Sequence, residues 1–376
     1  MIMNKFVFPD NKNTIVNFAS SILKHFGVKP FHHTIKDVDD VLKGHKKVVA
    51  ILFDGLGTNI LEKHLSKEGF ILSHKLIDID ATFPPTTVAS TDGFLSGKYP
   101  NENGWMGWSQ YFKCLNQNID VFRNQISGTD EFIQTKSEKL LLDEVCHYDD
   151  IATLINKTQN KAYILKEYPI DKNGFSNFKE AKEKINEVLN QNDNVFCYLY
   201  FTSPDHEIHE NGINSNVVHK KIMDIQAFVE SIVKSHEDTL FFTFADHGLI
   251  DVKYIDLDQF IDVKNLLERR FSLESRAASF KVKKGKEKEF EAKFNEYFSK
   301  HFVLLNKEDV IKNKLFGTGI NSQFFNDFIG DFIAISEDEY SFYYSSLLKV
   351  DDTLLKAHHA GGTKDERTIS LCVYNK

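Results

Sequence analysis

Lys47-Val48-Val49-Ala50-Ile51-Leu52-Phe53-Asp54-Gly55-Leu56-Gly57 decides the fold. The apolar residues from Val48 to Phe53 run without alternation, so both faces of the strand they form must be covered. Asp54 ends the run, and Gly55 after it signals a turn. Two further runs repeat the pattern. Val195 to Tyr200 leads towards Asp205, and Leu240 to Ala245 leads into Asp246. Ala162-Tyr163-Ile164-Leu165 is a weaker member of the set. Helical periodicity falls between them. Val218, Ile222, Ile225, Val229, Ile232 and Val233 make one apolar face within 213–235, and 178–191 carries a more polar helix. Ile15, Val16, Phe18, Ile22 and Leu23 predict an amphipathic helix near the N-terminus. Strands alternating with helices specify an α/β protein with a doubly wound, mostly parallel sheet flanked by helices. Such sheets bind ligands at the carboxyl ends of their strands, where Asp54, Asp205 and Asp246 would meet.

Two stretches interrupt the alternation. Residues 109–150 are polar and irregular after an aromatic-rich start, and read as a lid-like excursion. Residues 253–330 read as a smaller inserted α+β subdomain. It would hold a strand from Ala277 to Val282, a helix from Glu287 to Phe302 with Phe290, Phe294 and Phe298 at four-residue spacing, and a strand at Val303-Leu304-Leu305. Phe332 to Ile335 and Thr368 to Val373 are expected to rejoin the main sheet. That leaves 1–252 and 331–376 as the catalytic core.

The 376 residues, 41% of them hydrophobic, suffice for a large core. The formal net charge is −8, from 46 basic and 54 acidic residues, which argues against a nucleic-acid polymer as partner. A small anionic substrate stays open, because a metal ion can supply local positive charge. Cys114, Cys146, Cys197 and Cys372 form no C-x-x-C and are too sparse for a disulfide scaffold, which suits a reducing compartment. The N-terminal apolar residues are broken by Pro9, Asp10, Lys12 and Asn13, unlike a signal peptide. No apolar run approaches the roughly 20 residues of a bilayer span. The expectation is a soluble cytoplasmic protein with no membrane partner; a homo-oligomer is left open.

Chemistry-bearing residues gather at the same strand ends. Asp205-x-x-x-His209 puts both side chains on one face of a helical turn. Asp246-His247 offers two adjacent ligands where Gly248 permits a sharp turn. His358-His359-Ala360-Gly361-Gly362 adds imidazoles from a glycine-rich loop near the C-terminus. Read singly, each is also an ordinary turn or loop. Read jointly, three carboxylates and three imidazoles suit Zn²⁺, or Mn²⁺ or Fe, better than Ca²⁺ or Mg²⁺. Thr86-Thr87 follows Pro84-Pro85, which fix an extended entry, and the segment Val88 to Leu95 after it could begin a helix. A hydroxyl at a helix N-terminus faces amides suited to an anion, and a metal would activate it as a nucleophile. Trp105, Trp108, Tyr111 and Phe112 follow. They are candidates for an aromatic wall against a nucleobase or aryl leaving group.

In this order the motifs resemble the alkaline phosphatase superfamily, and within it the type I phosphodiesterase/nucleotide pyrophosphatase family. The resemblance runs from about Lys47 to Ser370. Asp54-Gly55 matches the first metal aspartate, and Thr82 to Thr87 with Leu95 to Pro100 matches the nucleophile segment. Asp205 to His209, Asp246-His247-Gly248 and His359 to Glu366 match the remaining motifs, although the family more often has Gly at Ala360. The resemblance implies two divalent metal ions, Zn foremost. Asp205, His209 and His359 would hold one; Asp54, Asp246, His247 and Thr87 would hold the other. Thr87, rather than Thr86, would attack phosphorus to give a phosphothreonine, which metal-activated water then hydrolyses. The implied substrate is a small soluble phosphodiester or pyrophosphate, nucleotide-like. Where nucleotide-cleaving relatives carry Pro-Asn-His, this chain has Ala89-Ser90-Thr91, so Ser90 is expected to donate to the substrate instead. Trp108 is expected to line the substrate pocket and Arg276 to read substrate charge from the insertion. The alternatives are a phosphonoacetate-type C–P hydrolase, a phosphomutase of the superfamily, and a non-catalytic metal-binding protein. Sulfatases are disfavoured, because the C/S-x-P-x-R precursor is absent.

Overall fold

The computed structural model describes residues 6–137, 139–168, 173–349 and 353–375. The N-terminal Met1–Lys5, part of the stretch compared with a signal peptide, therefore lies outside them.

Six strands make the main sheet, in the order Lys75–Asp80, Thr368–Tyr374, Thr239–Phe244, Lys47–Phe53, Val195–Phe201 and Lys161–Lys166. All run parallel except Thr368–Tyr374, which is antiparallel to both neighbours. The predicted continuous runs are the central strands, and from Val48 to Phe53 every residue is buried. One face is packed by Ile15–His25 and Thr87–Ser96, where Phe18 meets Phe94, Phe242 and Phe244. The other is packed by Phe178–Gln191 and Asn216–Ser235, where Phe178 stacks on Phe228 and both meet Phe201. Register then sets the site. Phe53 lies opposite Phe201, and Leu52 opposite Phe244, so Asp54, Asp246 and the segment leading to Asp205 emerge level at one edge. Lys75–Asp80 escaped sequence reading because it is a half-exposed edge strand whose Leu76, Ile77 and Ile79 are broken up by Lys75, Asp78 and Asp80.

A second, antiparallel sheet has seven strands, in the order Phe302–Asn306, Phe332–Ser336, Ala277–Phe280, Ser272–Leu273, Ser109–Phe112, Gln117–Asp120 and Gln125–Ile126. Two expectations change here. Phe332–Ser336 does not rejoin the main sheet but pairs with Phe302–Asn306 and Ala277–Phe280. Its Ile333 and Ile335 enter one apolar cluster, and Phe332 and Ala334 another, so it is covered on both faces like a main-sheet strand. An apolar run reports that coverage and cannot report which sheet provides it. The excursion after Trp108 is also no free lid. Ser109 pairs with Leu273, so the excursion and the 253–330 segment share one sheet.

None of the helices among the described residues is long and apolar enough to cross a membrane.

Candidate active site and metal centre

Three strand ends and one returning loop build the site. Asp54 follows the central strand, with its amide donating to the Phe201 carbonyl at 2.9 Å. Gly55 turns the chain with φ +72°, and its amide donates to Asp246 Oδ1 at 3.0 Å. Asp205 opens the helix Asp205–Asn211, and one turn along it His209 Nε2 lies 3.3 Å from Asp205 Oδ1. His209 Nδ1 donates to the Ala357 carbonyl at 2.7 Å, which fixes the tautomer and leaves Nε2 free to ligate. His247 is fully buried, with Nδ1 donating to the Gly248 carbonyl at 3.2 Å. Its Nε2 lies 3.4 Å from Asp54 Oδ1 and 3.6 Å from Asp246 Oδ2. Gly248 serves close approach here, not the sharp turn expected of it. Its amide donates to the Glu366 carbonyl at 2.8 Å, and a Cβ there would stand 2.2 Å from the Asp365 carbonyl oxygen.

Thr87 is the first residue of the helix Thr87–Ser96. Its Oγ1 lies 3.1 Å from His247 Nε2 and donates towards Asp54 at 3.3 and 3.4 Å. The pairing of Ile250–Asp251 with Ala357–His358 carries the C-terminal loop back to these groups. His359 enters the cluster, its ring stacked on His247 with centroids 3.9 Å apart. His358 turns away, with its Nε2 3.2 Å from Ser275 Oγ. Ala360 has φ +81°, a backbone region that suits glycine and accounts for Gly being the more usual residue there.

Ligand atoms converge in two overlapping groups. Those of Asp205, His209 and His359 lie within 4.8 Å of one another, and so do those of Asp54, Asp205 and His247. Asp246 stands slightly apart from its assigned role. Its Oδ1 accepts from the Gly55 and His247 amides, and Oδ2 accepts from Thr91 Oγ1 at 3.3 Å. The set fits divalent metal. Asp205 Oδ1 and His359 Nδ1 are buried with no hydrogen-bond partner, a costly state unless a further group sits between them. Burial, then the charges of Asp246 and Asp205, push the Asp54 carboxyl well above its usual range, crowding that a cation would relieve. Burial, then the imidazole of His247, holds His359 well below its usual range, in the neutral form that ligates. The Tyr200 hydroxyl donates to Asp54 Oδ2 from beneath, a partner that sequence reading did not single out.

Three expected substrate contacts are corrected or narrowed. Ser90 is fully buried, its Oγ 3.0 Å from Thr82 Oγ1 and accepting from the Thr82 amide at 3.2 Å. It anchors the segment before the nucleophile and does not face substrate. Arg276 is also fully buried. It donates Nε and Nη2 to Glu366 at 2.7 and 2.9 Å, and Nη1 and Nη2 to the Tyr340 and Asp338 carbonyls at 2.8 and 2.7 Å. With those donors engaged, it cannot read substrate charge. Of the aromatics, Trp105 and Phe112 are core and Tyr111 lies under Arg269. Trp108 keeps a part-exposed ring, but Arg123 stands 5.5 Å over it and Phe122 packs edge-on at 6.1 Å, so the ring is covered more loosely than Tyr111 and not open.

A buried carboxylate was missed. Glu274 Oε1 accepts from Thr86 Oγ1 and from the Trp108 amide, both at 2.8 Å. Burial pushes its carboxyl up to about 7 against these two donors. No local signal marks it, because its partners are more than 160 residues away in sequence.

The model of the family described as type I phosphodiesterase / nucleotide pyrophosphatase matches residues 48–364. No curated protein matches the chain. Among solved structures, murine ectonucleotide pyrophosphatase / phosphodiesterase 5 is similar at 16% identity, with 88% of each chain covered and a TM-score of 0.67. An inactive threonine-to-alanine variant of the murine protein, in complex with AMP, is similar at 15% identity over 88% of each chain, TM-score 0.65. Phosphonoacetate hydrolase from Sinorhizobium meliloti 1021, in complex with phosphonoformate, shares the fold at 11% identity, covering 88% of this chain and 90% of that one, TM-score 0.63. With the family model spanning all the site motifs from Asp54 to His359, the chain belongs to the type I phosphodiesterase / nucleotide pyrophosphatase family of metal-dependent phosphoric ester hydrolases.

Proposed function

We propose that this enzyme cleaves a phosphodiester or pyrophosphate bond of a small nucleotide-like substrate through a covalent phosphothreonine at Thr87. The observation that carries the reading is the Thr87 hydroxyl. It stands at a helix N-terminus, 3.1 Å from His247 Nε2 and 3.3 Å from Asp54 Oδ1. That an inactive variant of the murine relative replaces a threonine, and is in complex with AMP, supports both the nucleophile and the substrate class.

Asp205, His209 and His359 would hold one ion, and Asp54, His247, Asp246 and Thr87 the other. Bound divalent metal supplies Lewis acidity, acidifying a hydroxyl and offsetting charge on phosphoryl oxygens. The chain does the positioning. Asp54 and His247 face the Thr87 proton and direct the Oγ1 lone pair outward. The helix amides behind Thr87 face the phosphoryl group. The Oγ1–P bond forms as the bond from phosphorus to the leaving oxygen breaks. Water then attacks the phosphothreonine, regenerating the hydroxyl and releasing a phosphomonoester.

The test is hydrolysis of bis-p-nitrophenyl phosphate against p-nitrophenyl phosphate, after chelation and reloading with Zn²⁺ or Mn²⁺. Thr87→Ala should lose diester cleavage by about a thousandfold or more, as nucleophile removal does elsewhere. Full activity in Thr87→Ala would end the nucleophile assignment. Cleavage of phosphonoacetate but neither ester would replace the substrate class with a C–P bond and keep the site.

A further inference from the structure

The helix behind the nucleophile has an unusual N-terminus. Thr86 occupies its N-cap position with extended backbone (φ −142°, ψ 151°), the geometry in which a threonine hydroxyl ordinarily accepts from the first-turn amides. It makes no such bond. Its hydroxyl is turned to Glu274, donating to Oε1 at 2.8 Å. First-turn amides have no acceptor inside their own helix, so those of Thr87, Val88 and Ala89 depend on a cap or a ligand. Neither a side chain nor an outside carbonyl takes them among the described residues. They lie beside Thr87, whose own hydroxyl faces Asp54 and His247.

Glu274 is placed for this by a tight corner. Leu273, the last residue of the short strand Ser272–Leu273, has φ +69° just before the chain turns back into the strand Ala277–Phe280. The three residues after it reach three parts of the site. Glu274 takes Thr86 and the Trp108 amide, Ser275 Oγ sits 3.2 Å from His358 Nε2, and Arg276 pairs with Glu366. Glu274 is 5% exposed, so its carboxylate has little water to turn to, and the two donors hold it.

We infer that Glu274 is a positioning residue for the phosphoryl site: by drawing the Thr86 hydroxyl away, it keeps the N-terminus of helix Thr87–Ser96 uncapped for the oxygens of the transferred group. The inference rests on the phosphoryl-transfer reading above. In chemical terms, an internal oxygen and a substrate oxygen compete for the same amides, and Glu274 removes the internal one.

Orthovanadate inhibition and diester kcat test it, with melting temperature and metal content measured beside them. Glu274→Ala should free Thr86 to cap its own helix, lowering kcat by about a hundredfold, the scale of a lost oxyanion donor. Vanadate affinity should fall with it. Glu274→Gln keeps an Oε1 acceptor for both donors and should retain most of the activity. Adding Thr86→Val to Glu274→Ala deletes the competing cap and should recover about tenfold, which a merely structural role would not. Should Glu274→Ala fail to fold, Thr86→Asn carries the test. It offers a cap oxygen whatever Glu274 does, and should lower kcat and vanadate affinity with an unchanged or higher melting temperature. Wild-type kcat and vanadate affinity in Glu274→Ala, or in Thr86→Asn, would overturn the inference and leave the phosphoryl-transfer reading intact. A wild-type protein that neither cleaves esters or phosphonates nor binds vanadate would instead remove that reading itself.

Discussion

Arg276→Ala offers a measurement that separates a structural guanidinium from a substrate-reading one. Both Arg276 and Glu366 side chains are 0% exposed, and the pair is a two-pronged fork at 2.7 and 2.9 Å. The same guanidinium holds the carbonyls of Asp338 and Tyr340. Removing it strands a carboxylate in the interior, and breaking such a pair costs about 3–5 kcal/mol. Two further carbonyls lose a charged donor, which sets the expectation at the upper part of that range. The effect should also reach metal. Glu366 Oε1 accepts from the Gly361 amide at 2.7 Å and Oε2 from Thr363 Oγ1 at 2.7 Å, so the fork fixes the loop carrying His359. Urea denaturation of the metal-free protein would measure the first effect, and Zn²⁺ competition against a chromophoric chelator the second. Arg276→Lys should fall between, because one ammonium cannot reproduce the fork. Arg276→Met combined with Glu366→Gln should lose less than Arg276→Met alone, since no bare charge remains. A loss below about 1 kcal/mol, or a raised KM at unaltered stability and metal affinity, would refute this reasoning and return Arg276 to the substrate.

Two other outcomes are expected. Asp92 is buried on helix Thr87–Ser96, where the Tyr148 hydroxyl donates to it, and burial pushes its carboxyl up to about 7 from 3.8. The folded state thus holds this proton more tightly than the unfolded one. The stability it contributes is full below pH 3.8 and is lost as pH rises through about 7. Asp92→Asn should remove roughly 2.5 kcal/mol from the fall in stability between about pH 5 and 8, read as the difference between the two proteins' urea curves. An unchanged slope would mean that Asp92 is not protonated at neutrality. Chelation should lower the melting temperature and Zn²⁺ or Mn²⁺ should restore it. An ion at about a hundredfold excess over its Kd contributes about 2.7 kcal/mol if it binds the folded state alone. A melt indifferent to chelator and added metal, in Asp205→Ala as in wild type, would argue against the metal centre.

What the sequence carried was the part of the site built on strand ends. Asp54 and Asp246 follow runs whose burial on both faces is written in consecutive residues, and adjacent parallel strands bring such ends level with no further information. His209 was equally legible, because one helical turn fixes its position relative to Asp205. Legibility stopped wherever a side chain's direction depended on a distant segment. Ser90 sits three residues after Thr87, near enough to suggest the same face, yet its hydroxyl is held by Thr82 beneath. Arg276 and Glu274, two residues apart, point to different halves of the site. One secures the His359 loop from inside the protein, and the other secures the nucleophile helix. Alternation along an extended segment predicts only that residues i and i+2 share a face. The turn from Glu274 to Ala277, with bends at Ser275 and Arg276 and the Glu274 amide donating to the Ala277 carbonyl, breaks that rule. The second sheet was misplaced for a related reason. Phe332–Ser336 and Lys47–Phe53 look alike as apolar runs, and only pairing partners distinguish them. The 253–330 segment is therefore more than an appendage to a catalytic core. Through Glu274, Ser275 and Arg276 it holds the nucleophile segment and the C-terminal ligand loop in one frame, so a change in that corner should alter chemistry and metal binding together.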